Sequence, residues 1–302
     1  HVKLGTLKDK MERVKAIAGY LASVVDHGVA GKLERLIPVM KTDLVTHMVG
    51  EFPELQGTMG RIYARIEGED DEVALAIEEH YLPTGGNGSL PLTATGAIAG
   101  IADKIDSIVS FFSVGITPTG NLDPYALRRQ SLGIIKIAID RKMHLPLTAL
   151  IERAFEAGGS IPKRLTLEET KASLLEFIAT RFKFSMLEEN HNQDFVESVL
   201  PCVMSDIYDG YMRLVSLETQ SSMDDFERLM VGFRRVFNIT KQIAEDTAVD
   251  PALLVLEEEK RLFELYATRK DAFHGLMEKR DYDGALAVLV GFKETIDNFF
   301  DK

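Results

Sequence analysis

The sequence predicts an all-α protein, and three observations carry that expectation. Apolar residues recur at helical spacing through nearly the whole chain. Strand-like alternation with turn partners is almost absent. Glycines and prolines punctuate the chain at intervals that suit helices joined by short connections. Hydrophobic residues make up 45% of the 302 and charged residues 27%, the balance of a globular protein. That length suffices for two domains, each with its own core.

Leu7, Val14, Ile17, Ala18 and Leu21 trace the first helix. Leu33, Leu36, Ile37, Met40, Leu44 and Met48 trace a second stripe, and Pro38 makes its helix start there or bend. The block Glu51-Phe52-Pro53-Glu54-Leu55-Gln56-Gly57 reads as a compact fixed turn between helices. Val73, Ala74, Ile77 and Tyr81 form a third stripe, and the acidic run 67–72 before it suits the positive end of a helix dipole. A loop with Gly85-Gly86-Asn87-Gly88 spans 83–91.

Residues 97–112 are rich in small residues and apolar on most faces, so this helix belongs at the centre of a core. After a break at 115–120 comes Asp123-Pro124-Tyr125-Ala126-Leu127-Arg128-Arg129. Asp123 suits an N-cap and Pro124 the first helical position. Arg128 and Arg129 then fall in the second turn, exposed, while Leu127, Leu132, Ile135 and Ile139 keep helical spacing. Further helices are expected over 147–157, 167–186, 194–203, 205–216, 223–245, 253–269 and 282–300, with breaks at Gly158-Gly159, Pro162, Pro201, Ser221-Ser222 and Asp250-Pro251. No fixed-period repeat or low-complexity segment occurs. The boundary region at 115–145 gives two expected domains, 1–122 and 123–302.

Several function classes are excluded on composition. No run of 18 or more apolar residues exists, so no transmembrane helix and no membrane partner is expected. No signal-peptide pattern opens the chain, and the start at His1 rather than Met suggests a fragment or a sequence altered for expression. Cys202 is the sole cysteine, which forbids an intrachain disulfide or a cysteine zinc cluster and points to a reducing cytoplasm. It follows Pro201 on an apolar stretch and reads as buried packing rather than a nucleophile. A P-loop, a dinucleotide-binding glycine fingerprint, a Gly-x-Ser-x-Gly elbow and a His-Glu-x-x-His motif are all absent. The run Glu257-Glu258-Glu259, followed by Lys260 and Arg261, reads as a solvated helix surface. The formal charge of -12 opposes bulk attraction to nucleic acid, so any RNA binding must rest on local basic stripes.

Two sets of residues stand out. The outline Lys10-Met11-Glu12-Arg13-Val14, then Thr42-Asp43, then Ile101-Ala102-Asp103-Lys104-Ile105 resembles the HD superfamily of helical metal-dependent phosphohydrolases. That resemblance implies a divalent-metal site made of two histidines and two aspartates, which activates water on phosphate. Here Lys10 and Thr42 stand at the histidine positions, and only Asp43 and Asp103 remain. A protonated lysine cannot ligate metal and threonine is a poor ligand, so the expectation is a degenerate site without metal. Lys10 is expected to replace the cation by neutralising Asp43 and Asp103 in a buried ion-pair network. His80, in Glu78-Glu79-His80-Tyr81, reads as a surface or helix-terminal residue, or as an RNA-facing or residual ligand position. His47 reads as an ordinary helix residue.

The second set lies on the helix expected at 223–245. Phe226, Leu229, Met230, Phe233, Val236, Phe237 and Ile243 trace a broad apolar face. Arg234, Asn238 and Lys241 share another face, with Arg228, Arg235 and Gln242 alongside. Arginine can pair with phosphate or stack on a base, and asparagine can bond a base edge. The same ridge also reads as a solvated face with salt bridges to Glu227 and Glu245.

These segments occur together and in order in one family. Lys41-Thr42-Asp43-Leu44-Val45-Thr46, the 51–57 block, Met59-Gly60-Arg61, Ala76-Ile77-Glu78-Glu79-His80-Tyr81-Leu82-Pro83, Ile101-Ala102-Asp103-Lys104-Ile105-Asp106 and the 123–129 motif resemble the beta subunit of bacterial two-subunit glycyl-tRNA synthetase. Arg234-Arg235-Val236-Phe237-Asn238-Ile239 resembles the anticodon-binding helical bundle shared with arginyl-tRNA synthetases. The likeness is dense over 5–129 and looser over 143–222, and it suggests the C-terminal portion of the subunit, with the bundle truncated at its end.

The resemblance implies an HD-like helical domain followed by an anticodon-binding helical bundle. It implies a cytoplasmic ligase of two alpha and two beta subunits that attaches glycine to glycine tRNA. The alpha subunit would make glycyl-adenylate from glycine and ATP with a divalent metal. The beta subunit would recognise the tRNA, its HD-like part toward the acceptor end and its bundle at the anticodon. Arg234, Arg235, Asn238 and Lys241, with Arg128 and Arg129, are then the tRNA-contact candidates. No catalytic residue and no cofactor is expected in this chain. The rival expectations are an HD-type phosphohydrolase acting on a nucleotide and a non-catalytic helical scaffold.

Overall fold

The computed structural model of the protein describes residues 1–85, 88–120, 122–222, 224–241 and 249–301, with the backbone alone at 224, 225, 227 and 228. Gly86 and Asn87 of the glycine loop, Gln242, Ile243 and Glu245, and the side chains of Glu227 and Arg228 lie outside this description. The protein is all-α. Among the described residues the one departure from helix and loop is an isolated bridge between Thr119 and Leu122. Two compact units divide the chain, residues 1–211 and 212–302.

In the first unit, α1 (Leu7–Val25) opens with a capping box. The Thr6 hydroxyl accepts from the Asp9 amide while the Asp9 carboxylate accepts from the Thr6 amide at 2.8 Å. Its buried face is the one the apolar stripe predicts. The stripe at 33–48 is not one helix. It divides into α2 (Ala30–Leu36), a 3-10 turn at Thr42–Val45 and α3 (His47–Glu51): Ile37 still donates to the Leu33 carbonyl, but Pro38 has no N–H to continue the ladder.

Next come α4 (Thr58–Ile66) and α5 (Asp71–Glu79), the latter capped by the Asp70 carboxylate. No helix was expected at α4. Gly60 weakens its helical signal, yet packing requires it: a Cβ there would lie 2.6 Å from Ile77 Cγ2 and 3.1 Å from Asp43 Oδ2.

The long α6 (Ala94–Ser113) is buried along nearly its whole length, as its small-residue composition predicts. It packs against α1 and α5, and also against α7 (Leu127–Asp140), α8 (Leu147–Ala157) and α9 (Leu167–Glu188). The division therefore does not fall at 122/123, because the helices after that point complete the core around α6. α10 (Gln193–Val203) packs on α9, and α11 (Ile207–Ser221) crosses the division.

The start of α7 differs from the sequence expectation. Its N-cap is Ala126, in the left-handed region at φ 52°, and not Asp123. The Asp123 carboxylate still satisfies the helix opening, accepting from the amides of Leu127 at 2.8 Å and Arg128 at 2.9 Å. Arg128 and Arg129 therefore lie in the first turn.

The second unit contains α12 (Asp224–Thr240), α13 (Glu257–Glu278), α14 (Tyr282–Val290) and α15 (Lys293–Phe300). The single helix expected at 282–300 is two, with Gly291 as the C-cap of α14. The helix expected from 253 starts at Glu257, after a 3-10 turn at Pro251–Leu253. The Glu259 carboxylate accepts from the amides of Val255 and Leu256 at 2.8 and 2.9 Å, so the acidic run forms the first turn. Both α12 and α13 pack against α14 and α15. Phe226 and Leu229 of α12 are buried, but Met230 and Phe237 are exposed, so the buried face is narrower than the apolar one.

Candidate functional site

Helical spacing assembles a buried charge cluster in the first unit. Lys10 and Arg13 stand three residues apart on α1, and Asp103 and Asp106 three apart on the facing α6, so each pair shares a helix face. Lys10 Nζ lies 3.1 Å from Asp103 Oδ1 and 3.0 Å from Asp106 Oδ2, and donates to Ser107 Oγ at 2.8 Å. The Arg13 guanidinium forks onto Asp106, Nε to Oδ1 at 2.6 Å and Nη2 to Oδ2 at 3.2 Å.

Lys41 approaches Asp103 from the other side. Its Nζ lies 3.1 Å from Asp103 Oδ2, 3.0 Å from His80 Nε2 and 4.4 Å from the centre of the Tyr81 ring. His80 Nδ1 lies 2.7 Å from the carbonyl oxygen of Ile77, which assigns the ring proton to Nδ1 and leaves Nε2 to accept from Lys41. Lys104 donates to the carbonyls of His80 and Leu82 at 3.0 and 2.7 Å. Gly133 makes room for its stem, since a Cβ there would lie 3.0 Å from Lys104 Cε.

These contacts decide the protonation states. Burial opposes ionisation of Asp103, but the ammoniums of Lys10 and Lys41 outweigh it and hold the carboxyl well below its ordinary range. Burial also opposes the Lys10 charge, and Asp103 and Asp106 overcome it, so that ammonium is held more firmly than usual. Burial pulls Lys41 down despite Asp103, with Lys10 adding like-charge repulsion. His80 is held well below its ordinary value by burial and then by the Lys41 charge, and stays neutral. Burial pushes Lys104 down to about 8.

The structure thus brings Lys10 and Asp103 together, while Asp43 stands apart from Lys10. Asp43 Oδ2 accepts from the Gly57 amide at 2.7 Å. The Thr42 hydroxyl donates to the Val39 carbonyl at 2.9 Å and belongs to the exposed surface rather than to the cluster. Sequence reasoning missed Lys41, the second partner of Asp103. Its place directly before Thr42-Asp43 was the available signal. His80 is fully buried, which rules out both the surface and the RNA-facing readings. Cys202 is only half-buried. The donor set does not suit a divalent metal: ammonium groups occupy the space around Asp103, and no group of three His, Cys, Asp or Glu able to hold a metal ion occurs among the described residues.

The second candidate set lies in the other unit. Arg234, Arg235, Asn238 and Lys241 of α12 are all exposed. Arg235 Nη1 is 3.8 Å from Asp301 Oδ1, and its guanidinium lies 5.8 Å from the Phe300 ring centre. Lys241 Nζ reaches Asn238 Oδ1 at 3.4 Å, a long contact. In the first unit, Arg128 is half-buried, and Arg129 is exposed and donates to the Thr84 carbonyl at 3.2 Å. Arg181 of α9 went unnoticed in the sequence. Burial, and then the neighbouring Arg128 charge, lower its affinity for the proton, and its guanidinium lies 4.8 Å from the ring of the exposed Phe184.

The first unit is thus a helical core with a lysine–aspartate cluster between α1 and α6, and the second carries a row of exposed cationic side chains on α12. Comparison with known proteins assigns the chain to a family. The family model described as glycyl-tRNA synthetase beta subunit matches residues 1–201. The chain belongs to that family. It is 39% identical over 301 residues to the glycine–tRNA ligase beta subunit of Syntrophus aciditrophicus, covering 100% of this chain and 43% of that protein. It is 42% identical over 302 residues to the Geobacter sulfurreducens subunit of the same name, covering 99% and 43% respectively. The Bacillus subtilis subunit of that name is 39% identical over 305 residues, with 100% and 43% covered. The chain therefore spans less than half the length of these relatives. The matches establish the family and the span, and do not bear out a placement at the relatives' C-terminal end. No helix among the described residues is long and apolar enough to cross a membrane.

Proposed function

We propose that this chain serves glycyl-tRNA synthesis as a non-catalytic, RNA-contacting part of a glycine–tRNA ligase beta subunit. The α12 crest of Arg234, Arg235, Asn238 and Lys241 meets glycine tRNA, and Arg128 and Arg129 offer a second cationic point on the other unit. The adenylation chemistry, with ATP and a divalent metal, belongs to the partner alpha subunit, in an assembly of two copies of each. The supporting observation is the exposure of all four crest side chains on a protein of net charge -12. On an acidic protein a polyanion contact must rest on a local group of cations, which these side chains supply.

The test is a binding titration of the chain with glycine tRNA and a mismatched tRNA at several salt concentrations. Affinity is expected to fall steeply with salt despite the acidic charge. Replacing Arg234 and Arg235 together by Glu should weaken binding and flatten the salt slope by about 1–2. An unchanged slope would remove the crest from the interface. The exposed apolar residues beside the crest, Phe237 at 65% and Ile239 at 57%, favour a second reading in which α12 docks a protein. That reading predicts binding to the alpha subunit that the arginine replacements weaken while tRNA affinity stays constant.

A further inference from the structure

Two arginines of the first unit stand near each other with no carboxylate to pair with. Arg128 lies in the first turn of α7 and Arg181 in the C-terminal half of α9, and these helices pack together. The Arg128 charge opposes that of Arg181, so the two guanidiniums share one locality. Asp123 partly offsets the repulsion, but its oxygens are taken by the amides of Leu127 and Arg128. Among the described residues neither arginine side chain makes a hydrogen bond or an ion pair. Arg181 Nε is enclosed and out of reach of a ligand, whereas its Nη groups and the Arg128 nitrogens are not enclosed. Half-buried charge of one sign, left unneutralised, is costly and marks a place for an anion.

Aromatic rings hold the Arg181 guanidinium in place. Phe177, Arg181 and Phe184 follow one another at i, i+4 and i+7 on one face of α9. The guanidinium carbon lies 5.9 Å from the Phe177 ring centre and 4.8 Å from that of Phe184. Phe177 in turn lies 5.1 Å from the ring of Phe112 on the core helix α6, which fixes that side of the site. Phe184, by contrast, is 52% exposed, an apolar ring beside two cations.

We propose that Arg128, Arg181 and Phe184 bind an unpaired nucleotide of the RNA, the arginines taking its phosphate and the Phe184 ring its base. This rests on the tRNA-binding reading above and adds two residues of α9 to it. Two guanidiniums match the oxygens of a phosphodiester. The exposed ring offers stacking, which a base within a duplex cannot accept because its faces are covered. An acidic protein segment would use the arginines and leave the ring idle.

Filter binding of the full chain to glycine tRNA at several salt concentrations tests the site. Arg128→Gln combined with Arg181→Gln should weaken binding and flatten the salt slope by about 1. Phe184→Ala should weaken it about five-fold or more with the slope unchanged, since the ring carries no charge. Phe184→Tyr should restore most of that affinity, and a blunt RNA duplex should bind the chain and its Phe184→Ala variant equally. Circular dichroism reports whether the variants fold. If the double arginine variant does not, Phe184→Ala at its exposed position, with the tyrosine rescue, decides in its place. Affinity and slope unchanged in these variants, while Arg234→Glu with Arg235→Glu weakens binding, would overturn this site and leave the α12 crest standing. The reverse pattern would support this site and remove the crest, and no tRNA binding at all would overturn both. Equal loss of duplex binding on Phe184→Ala would overturn the unpaired nucleotide. Loss of poly-L-glutamate binding in the double arginine variant, with tRNA affinity unchanged, would assign the pair to an acidic protein and overturn the proposal.

Discussion

Asp103 holds one ammonium on each oxygen, Lys10 on Oδ1 and Lys41 on Oδ2, both at 3.1 Å. Its folded-state carboxyl ionises far below the ordinary value of 3.8, so the folded protein binds fewer protons than the unfolded chain in acid. The stabilisation is therefore fully present above about pH 5 and is lost progressively as pH falls below about 4. Denaturant titrations at pH 7 and pH 3.5 should show it. Asp103→Asn should cost about 3–5 kcal/mol at pH 7, since it leaves the buried Lys41 ammonium without a carboxylate and Lys10 with Asp106 alone, and should flatten the acid limb of the stability profile. Equal stability of the two proteins at pH 7 would show that the pairs contribute nothing net. Lys10 was legible in the sequence because it stands where a ligand would be expected. Lys41 was not read, because its place before Thr42-Asp43 marks it only as a neighbour of that outline and does not say that it turns toward Asp103 and His80.

At the scale of elements, the helices with clear apolar stripes and good caps follow the sequence closely. α8 occupies the residues 147–157 that its periodicity marks, and α9 starts one residue after Thr166, whose capping box with Glu169 forms in the structure. The departures have local causes. α4 was missed because Gly60 serves the contact with Ile77 and Asp43, a demand made by another part of the fold. The start of α7 moved three residues because Ala126 adopts a left-handed cap, and Asp123 reaches past it to two amides. Asp123→Ala should therefore cost about 1–2 kcal/mol, read as a lower midpoint in thermal or denaturant unfolding. Asp123→Asn, which keeps one acceptor oxygen, should recover part of the loss. No change in midpoint on Asp123→Ala would mean that water replaces both hydrogen bonds without cost.

At the scale of the molecule, the core around α6 draws helices from both sides of the boundary expected at 122/123. The compact unit ends at 211 for that reason. A chain ending at Ser222, which keeps α11 whole, is expected to fold alone and to melt in one cooperative helical transition. A broad, non-cooperative melt followed by circular dichroism would show that the first unit depends on the rest. The net charge of -12 also acts at this scale, since it makes any polyanion contact local and salt-sensitive.

By itself the sequence determined the helical class, the central place of α6, the resemblance to glycyl-tRNA synthetase beta subunits and the exposed crest of α12. These are properties of periodicity, composition and short motifs, and each is written within a few turns of chain. Tertiary structure alone decided that Lys41 shares Asp103 with Lys10, that His80 is buried and neutral, and that Asp43 is held by the Gly57 amide rather than by Lys10. Those outcomes depend on which side chains from distant segments meet in the interior, and on the strong electrostatics that burial imposes there.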